Sequence, residues 1–135
     1  MSTLRGGCVC GAIRYECTGD PVLAFNCHCR DCQHLSGGAY APVLYFSADR
    51  FALINGELRR YATESMRGGE NVRGFCGECG TRITGAESER GIGILVATLD
   101  DPSGFRPQFD IHVAQAQPWD RLDSTIPKFD GYPPI

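Results

Sequence analysis

The chain has 135 residues, 42% of them hydrophobic and 21% charged, with a formal net charge of -3 and a pI near 5.5. That length builds one core, and the acidic balance lacks the basic excess of a nucleic-acid binder. No apolar run approaches the roughly 18 residues that cross a bilayer, and residues 1–7 hold no apolar stretch of a secretion signal. A cytoplasmic protein with neither nucleic acid nor membrane as partner is expected. In a reducing compartment, clustered cysteines read as metal ligands rather than disulfides. Seven of the eight cysteines fall into tight groups, Cys8 with Cys10, Cys27 with Cys29 and Cys32, and Cys76 with Cys79, leaving Cys17 alone.

In chain order, Cys8 and Cys10 come first. Residues i and i+2 of a regular strand lie about 6.6 Å apart, whereas two sulfurs on one zinc lie about 3.8 Å apart, given tetrahedral angles and Zn–S bonds near 2.3 Å. The backbone must curl between them, and the flanking glycines Gly6, Gly7 and Gly11 are free to take positive φ. Residues 12–17 alternate as a strand, with Ile13, Tyr15 and Cys17 on one face, and Cys17 reads as a small buried apolar residue. A turn at 18–21 leads into a short strand at 22–25 that delivers the central cluster. Residues 30–35 form a short helix closed by Ser36-Gly37-Gly38. A second strand region spans 39–47, where Pro42 indicates an edge or a bulge.

Asn55-Gly56, between strand-like runs at 51–54 and 57–61, specifies a type I′ hairpin. The polar residues 63–71, with Gly68-Gly69, read as a mobile loop. Cys76-Gly77-Glu78-Cys79-Gly80 is a zinc-knuckle pattern, whose tight turn brings both sulfurs to one ion and aims amides back at them. Residues 92–99 read as the most buried strand and 109–114 as a further one. The tail at 127–135, with three prolines, reads as irregular chain packed over the surface.

Seven ligand cysteines divide as four plus three. Cys8, Cys10, Cys76 and Cys79 make a saturated centre of the structural kind, which staples the first segment to the second half. Cys27, Cys29 and Cys32 leave one position on an ion open. Three thiolates donate so much charge that the metal is a poor Lewis acid for a carbonyl, yet it still accepts a soft ligand such as an incoming thiol. His28 and His34 stand as a fourth ligand, as hydrogen-bond donors to sulfur or as ordinary imidazoles, while His112 reads as structural and remote. Arg30, Arg73 and Arg82 are either solvated charges or anchors for substrate carboxylates.

Taken together, Gly7-Cys8-x-Cys10-Gly11-x-x-x-Tyr15, Cys27-His28-Cys29-x-x-Cys32 with Gly37, Phe75-Cys76-x-x-Cys79-Gly80-Thr81 and Thr98-Leu99-Asp100-Asp101-Pro102 carry a likeness. Over residues 5–129 the chain resembles the glutathione-dependent formaldehyde-activating enzyme family, also called the centromere protein V/GFA domain. The resemblance implies a mainly β, single zinc-stabilised domain over 1–135, with a tent-like arrangement of small antiparallel sheets. It implies one structural zinc on Cys8, Cys10, Cys76 and Cys79, and a second, labile zinc at an active site formed by Cys27, Cys29 and Cys32. The implied reaction condenses glutathione, or a related small thiol, with formaldehyde to S-hydroxymethylglutathione, as a carbon–sulfur lyase. A non-catalytic, zinc-stabilised interaction module is the alternative.

Overall fold

The computed structural model describes residues 2–134. In chain order its strands are β1 (Thr3–Gly7), β2 (Arg14–Thr18), β3 (Leu23–Cys27), β4 (Ala41–Ser47), β5 (Phe51–Asn55), β6 (Leu58–Glu64), β7 (Glu70–Cys76), β8 (Thr84–Glu87), β9 (Gly91–Leu95) and β10 (Phe109–Ile111). The single α-helix among the described residues, α1, spans Arg30–Ser36. The fold is therefore mainly β. Strands β1, β2 and β5 form a small antiparallel sheet, and the other seven form a larger one in the order β10-β3-β4-β9-β8-β7-β6. One pairing departs from the antiparallel expectation: β10 runs parallel to β3, bringing Ile111 opposite Cys27. Among the described residues, no helix is long and apolar enough to cross a membrane.

The core follows from period-2 alternation on facing strands. From β2 come Tyr15 and Cys17, from β4 Leu44 and Phe46, and from β9 Ile92 and Ile94, all buried. Burying each large apolar side chain contributes about 1.5–3 kcal/mol before entropy is counted. Tyr15 packs its ring on Phe51 at 5.5 Å and hydrogen-bonds Thr98 Oγ1 through its hydroxyl at 2.7 Å. A Cβ on Gly6 would come within 2.5 Å of both the Tyr15 hydroxyl and the Thr98 carbonyl, so close approach rather than positive φ explains this glycine. Cys17 is wholly buried, and burial pushes its thiol up to about 12, in keeping with an inert apolar role.

Three local expectations are corrected. Asn55-Gly56 does not close a hairpin: β5 pairs with β2 in the small sheet, whereas β6 pairs with β7 in the large one. A type I′ turn needs positive φ at both central residues; Gly56 has φ 82°, but Asn55 does not share the left-handed region. The Asn55 side chain instead donates to the Ala12 carbonyl at 3.1 Å, and the dipeptide acts as a corner between sheets. The hairpin lies one connection later. The expected loop at 63–71 narrows to residues 65–69, because β6 and β7 pair from Leu58↔Cys76 to Glu64↔Glu70 around a short turn in which Gly68 and Gly69 take φ 92° and 71°. Finally, β4 is a central strand despite Pro42. Its pairing with β9 begins only at Val43, so the proline sits where the sheet is already open on that side.

Candidate functional site

Cys8 and Cys10 lie in the turn between β1 and β2, where Gly11 takes φ 83° and its amide donates to the Cys8 carbonyl. The curl brings the two sulfurs to 3.5 Å, and Cys10 Sγ stands 3.8 Å from Cys76 Sγ. Cys76 ends β7, and the knuckle turns so that the Glu78 and Cys79 amides donate to its sulfur at 3.4 and 3.5 Å. Hydrogen bonds from the Thr81 side chain and backbone bring the Cys79 thiol down to about 5. All four sulfurs lie within 4.8 Å of one another. With sulfurs about 3.8 Å apart around a tetrahedral zinc, this donor set fits such an ion.

The second cluster forms where β3 runs into α1. Cys27 ends the strand, Cys29 caps the helix, its sulfur accepting from the Cys32 amide at 3.3 Å, and Cys32 lies in the first turn. Gly37, at φ 74°, closes the helix as the sequence indicates. The three sulfurs again lie within 4.8 Å of one another. Their proximity polarises the set: hydrogen bonds from Cys27 and Cys32 hold Cys29 far below the ordinary thiol range, while contact with its neighbours and burial drive Cys27 far above it. Cys32 is likewise raised, to about 12, so the set favours one thiolate at Cys29, and ionising all three calls for a cation among the sulfurs.

His28 is not arranged as a ligand. It is 1% exposed, and its ring lies between two carboxylates, with Nδ1 at 2.7 Å from Asp120 and Nε2 at 2.9 Å from Asp110. A neutral imidazole has only one N–H, so satisfying both contacts requires a proton on each ring nitrogen or on one of the acids. Asn26 also donates to Asp110, and Lys128 stands 3.9 Å from it. The His28 amide donates to the Ile111 carbonyl, which fixes the backbone between Cys27 and Cys29. Below the helix, buried Gln33 donates to the carbonyls of His28 and Gln115. His34 is exposed and meets Arg30 at 3.3 Å.

The three-thiol cluster opens onto a cavity of about 660 Å³, whereas none of Cys8, Cys10, Cys76 and Cys79 lines it. Two groups in its wall matter chemically. His112, expected to be remote, lines the cavity and interacts electrostatically with Cys29. It takes φ 56°, which is uncommon for a residue with a side chain and concentrates at functional sites. Burial lowers its basicity, its Nδ1 has no hydrogen-bond partner among the described residues, and its ring meets Tyr132 edge-on at 4.5 Å. Sequence separation hid it: the parallel β10–β3 pairing that brings it here has no local signal. Arg73 is the second. It is 7% exposed, donates to Thr63 at 2.7 Å and, among the described residues, has no carboxylate in ion-pairing range. Arg82 and Arg30 also border the cavity, Arg82 with its guanidinium 4.6 Å over the Phe75 ring and Arg30 as an exposed residue.

A family model described as glutathione-dependent formaldehyde-activating enzyme matches residues 3–115. Among solved structures, the chain is similar to a Rhodobacter sphaeroides protein with a TM-score of 0.59 and 19% identity, over 92% of this chain and 98% of that one. No curated protein matches significantly. The structural likeness speaks for the fold; the family match spans most of the chain and both cysteine clusters.

Proposed function

The chain belongs to the glutathione-dependent formaldehyde-activating enzyme family, and from that membership we propose that it joins glutathione, or a related small thiol, to an electrophile such as formaldehyde, by zinc-dependent chemistry of the carbon–sulfur lyase type. The observation that carries this reading is the contrast between the two clusters: three thiols face a cavity and four do not. Cys8, Cys10, Cys76 and Cys79 would hold a structural zinc, and Cys27, Cys29 and Cys32 a second, more labile one. Bound to the three thiolates, zinc would supply the charge that keeps an incoming thiol ionised near neutral pH.

The chain's own residues do the rest. The clamp of Asp110 and Asp120 on His28 fixes the segment from which Cys27 and Cys29 project. His112, bordering the cavity beside Cys29, is placed to exchange a proton with the oxygen of the electrophile. Among the described residues, Arg73 is a buried cation with no carboxylate in ion-pairing range and only an electrostatic interaction with Cys32, and such a charge is costly unless a partner arrives. A carboxylate of glutathione is that partner. Arg73→Gln is therefore expected to raise KM for glutathione by about 10- to 100-fold, the worth of a charge-assisted hydrogen bond, with little change in kcat. Steady-state kinetics at saturating electrophile checks the split; a fall in kcat alone removes the anchoring role.

The direct test of the function is calorimetry of glutathione binding to zinc-loaded protein, in buffers of different ionisation enthalpy. A free thiol with pKa near 8.5 is mostly protonated at about pH 7, so holding it as thiolate releases about one proton per chain. S-methylglutathione, with no proton to lose, is expected to bind much more weakly. Equal affinity for the two, with no proton released, overturns the reading and favours an interaction module.

A further inference from the structure

We infer that the electrophile this site favours carries a bulky apolar group, as an aryl-alkyl aldehyde does, where formaldehyde would leave the apolar part of the cavity unfilled; this rests on the thiol-addition reading above. The alternation that sends Leu44, Phe46, Ile92 and Ile94 into the core sends Leu23, Phe25, Val43, Tyr45, Leu95 and Phe109 to the opposite face of the same sheet, where they line the cavity. This apolar face runs without interruption into the thiols. Along β3, Phe25 is two residues from Cys27 and Leu23 four, steps of about 6.6 and 13 Å. Phe25 and Phe109 lie parallel, with an interplanar angle of 1° and centroids 5.9 Å apart, and both are only half-buried.

Neither expected reactant accounts for such a wall. Glutathione is charged at both ends and peptidic between, and formaldehyde has a single carbon. A flat apolar substituent on the carbonyl matches it in chemistry and reach, since aromatic groups are the units that gain most from this kind of burial. The wall also leaves space. Gly85 on β8 and Gly93 on β9 lie side by side in the lining, and a Cβ on Gly85 would meet nothing nearer than the Gly93 carbonyl oxygen at 3.8 Å. Gly85 is not held to glycine by a clash or by positive φ. Its bareness leaves the cavity open beside the apolar face.

The reaction needs no co-reactant. The thiol gives up its proton, the sulfur pair forms a C–S bond to the carbonyl carbon, the C=O π pair moves onto oxygen, and the oxygen takes a proton. The product is a hemithioacetal, uncharged at the new centre, with nothing oxidised or reduced.

Two thioethers probe the subsite without turnover. S-benzylglutathione is expected to bind zinc-loaded protein at least about tenfold more tightly than S-methylglutathione, as burial of an aromatic ring implies, and Gly85→Leu, which places a side chain in the space, is expected to bring that ratio near one. Leu23→Gln, on β3, gives a second reading should the first variant fold poorly. In parallel, 3-phenylpropanol, which bears the apolar group without thiol or carbonyl, is expected to bind wild type and not Gly85→Leu. A wild-type ratio near one, or a ratio unchanged in both variants, overturns the inference while leaving thiol addition intact if glutathione still releases its proton. Binding of 3-phenylpropanol that depends on Gly85, with no binding of glutathione, supports the apolar subsite and sinks the thiol reading alone.

Discussion

Cys76→Ser is expected to yield a chain with no cooperative unfolding transition and with the circular dichroism of a largely unfolded protein. Cys76 is 1% exposed at the end of β7, its sulfur meets Cys10 at 3.8 Å, and two amides of the knuckle donate to it. The centre it would help to form joins the turn between β1 and β2 to the turn between β7 and β8. Those strands belong to different sheets, so no ladder of hydrogen bonds does that work instead. The magnitudes decide the outcome. A structural zinc contributes about 10–16 kcal/mol of apparent binding free energy at neutral pH, against about 5–15 kcal/mol for the whole stability of a domain. Serine is a far poorer zinc ligand than thiolate and leaves a hydroxyl buried in place of sulfur. Strong chelation of the wild type is expected to reproduce the effect. A native spectrum and a sharp melt for Cys76→Ser would remove the structural role assigned to this cluster.

Local chemistry could be read from the sequence; partnership between distant segments could not. The i, i+2 spacing of Cys8 and Cys10 demanded a curled backbone, and Gly11 supplies it at φ 83°. The CxxC-Gly pattern indicated amides aimed at sulfur, and they are. Asn55-Gly56 misled because a turn signal states that the chain reverses, not which strand it then pairs with. The seven-residue register of β6 with β7 outweighs a short pairing with β5, so the dipeptide serves as a corner. His28 looked available as a ligand because its neighbours are ligand candidates; Asp110 and Asp120, 82 and 92 residues away, take both ring nitrogens. His112 became a site residue by the same route, through a parallel pairing that no local spacing announces. Arg73, one of three candidate anchors beside the cysteine motifs, is carried to the cavity by β7, and only the fold singles it out as the buried one of the three.

Cys29→Ser is expected to do the opposite of Cys76→Ser: the fold survives and the chemistry is lost. Cys29 is the N-cap of α1, its sulfur accepting from the Cys32 amide. Serine is among the best N-cap residues, and its hydroxyl can take over that hydrogen bond, so the helix start is retained or strengthened. The proposed metal site is not so forgiving. Cys29 is the member of the triad that its two neighbours hold far below the ordinary thiol range, so its removal takes away the main bearer of negative charge and leaves Cys27 and Cys32 as a two-thiol remnant. Wild-type protein is expected to carry two zinc ions per chain, one removable by mild chelation, and Cys29→Ser a single tightly held one. Thiol-dependent adduct formation is expected to fall to the uncatalysed background, with a circular dichroism spectrum indistinguishable from wild type. The pair of variants tests the division of ligands, because each cluster is assigned a different consequence. Should Cys29→Ser prove unfolded and Cys76→Ser native and inactive, the structural and catalytic roles would have to be exchanged between the two clusters.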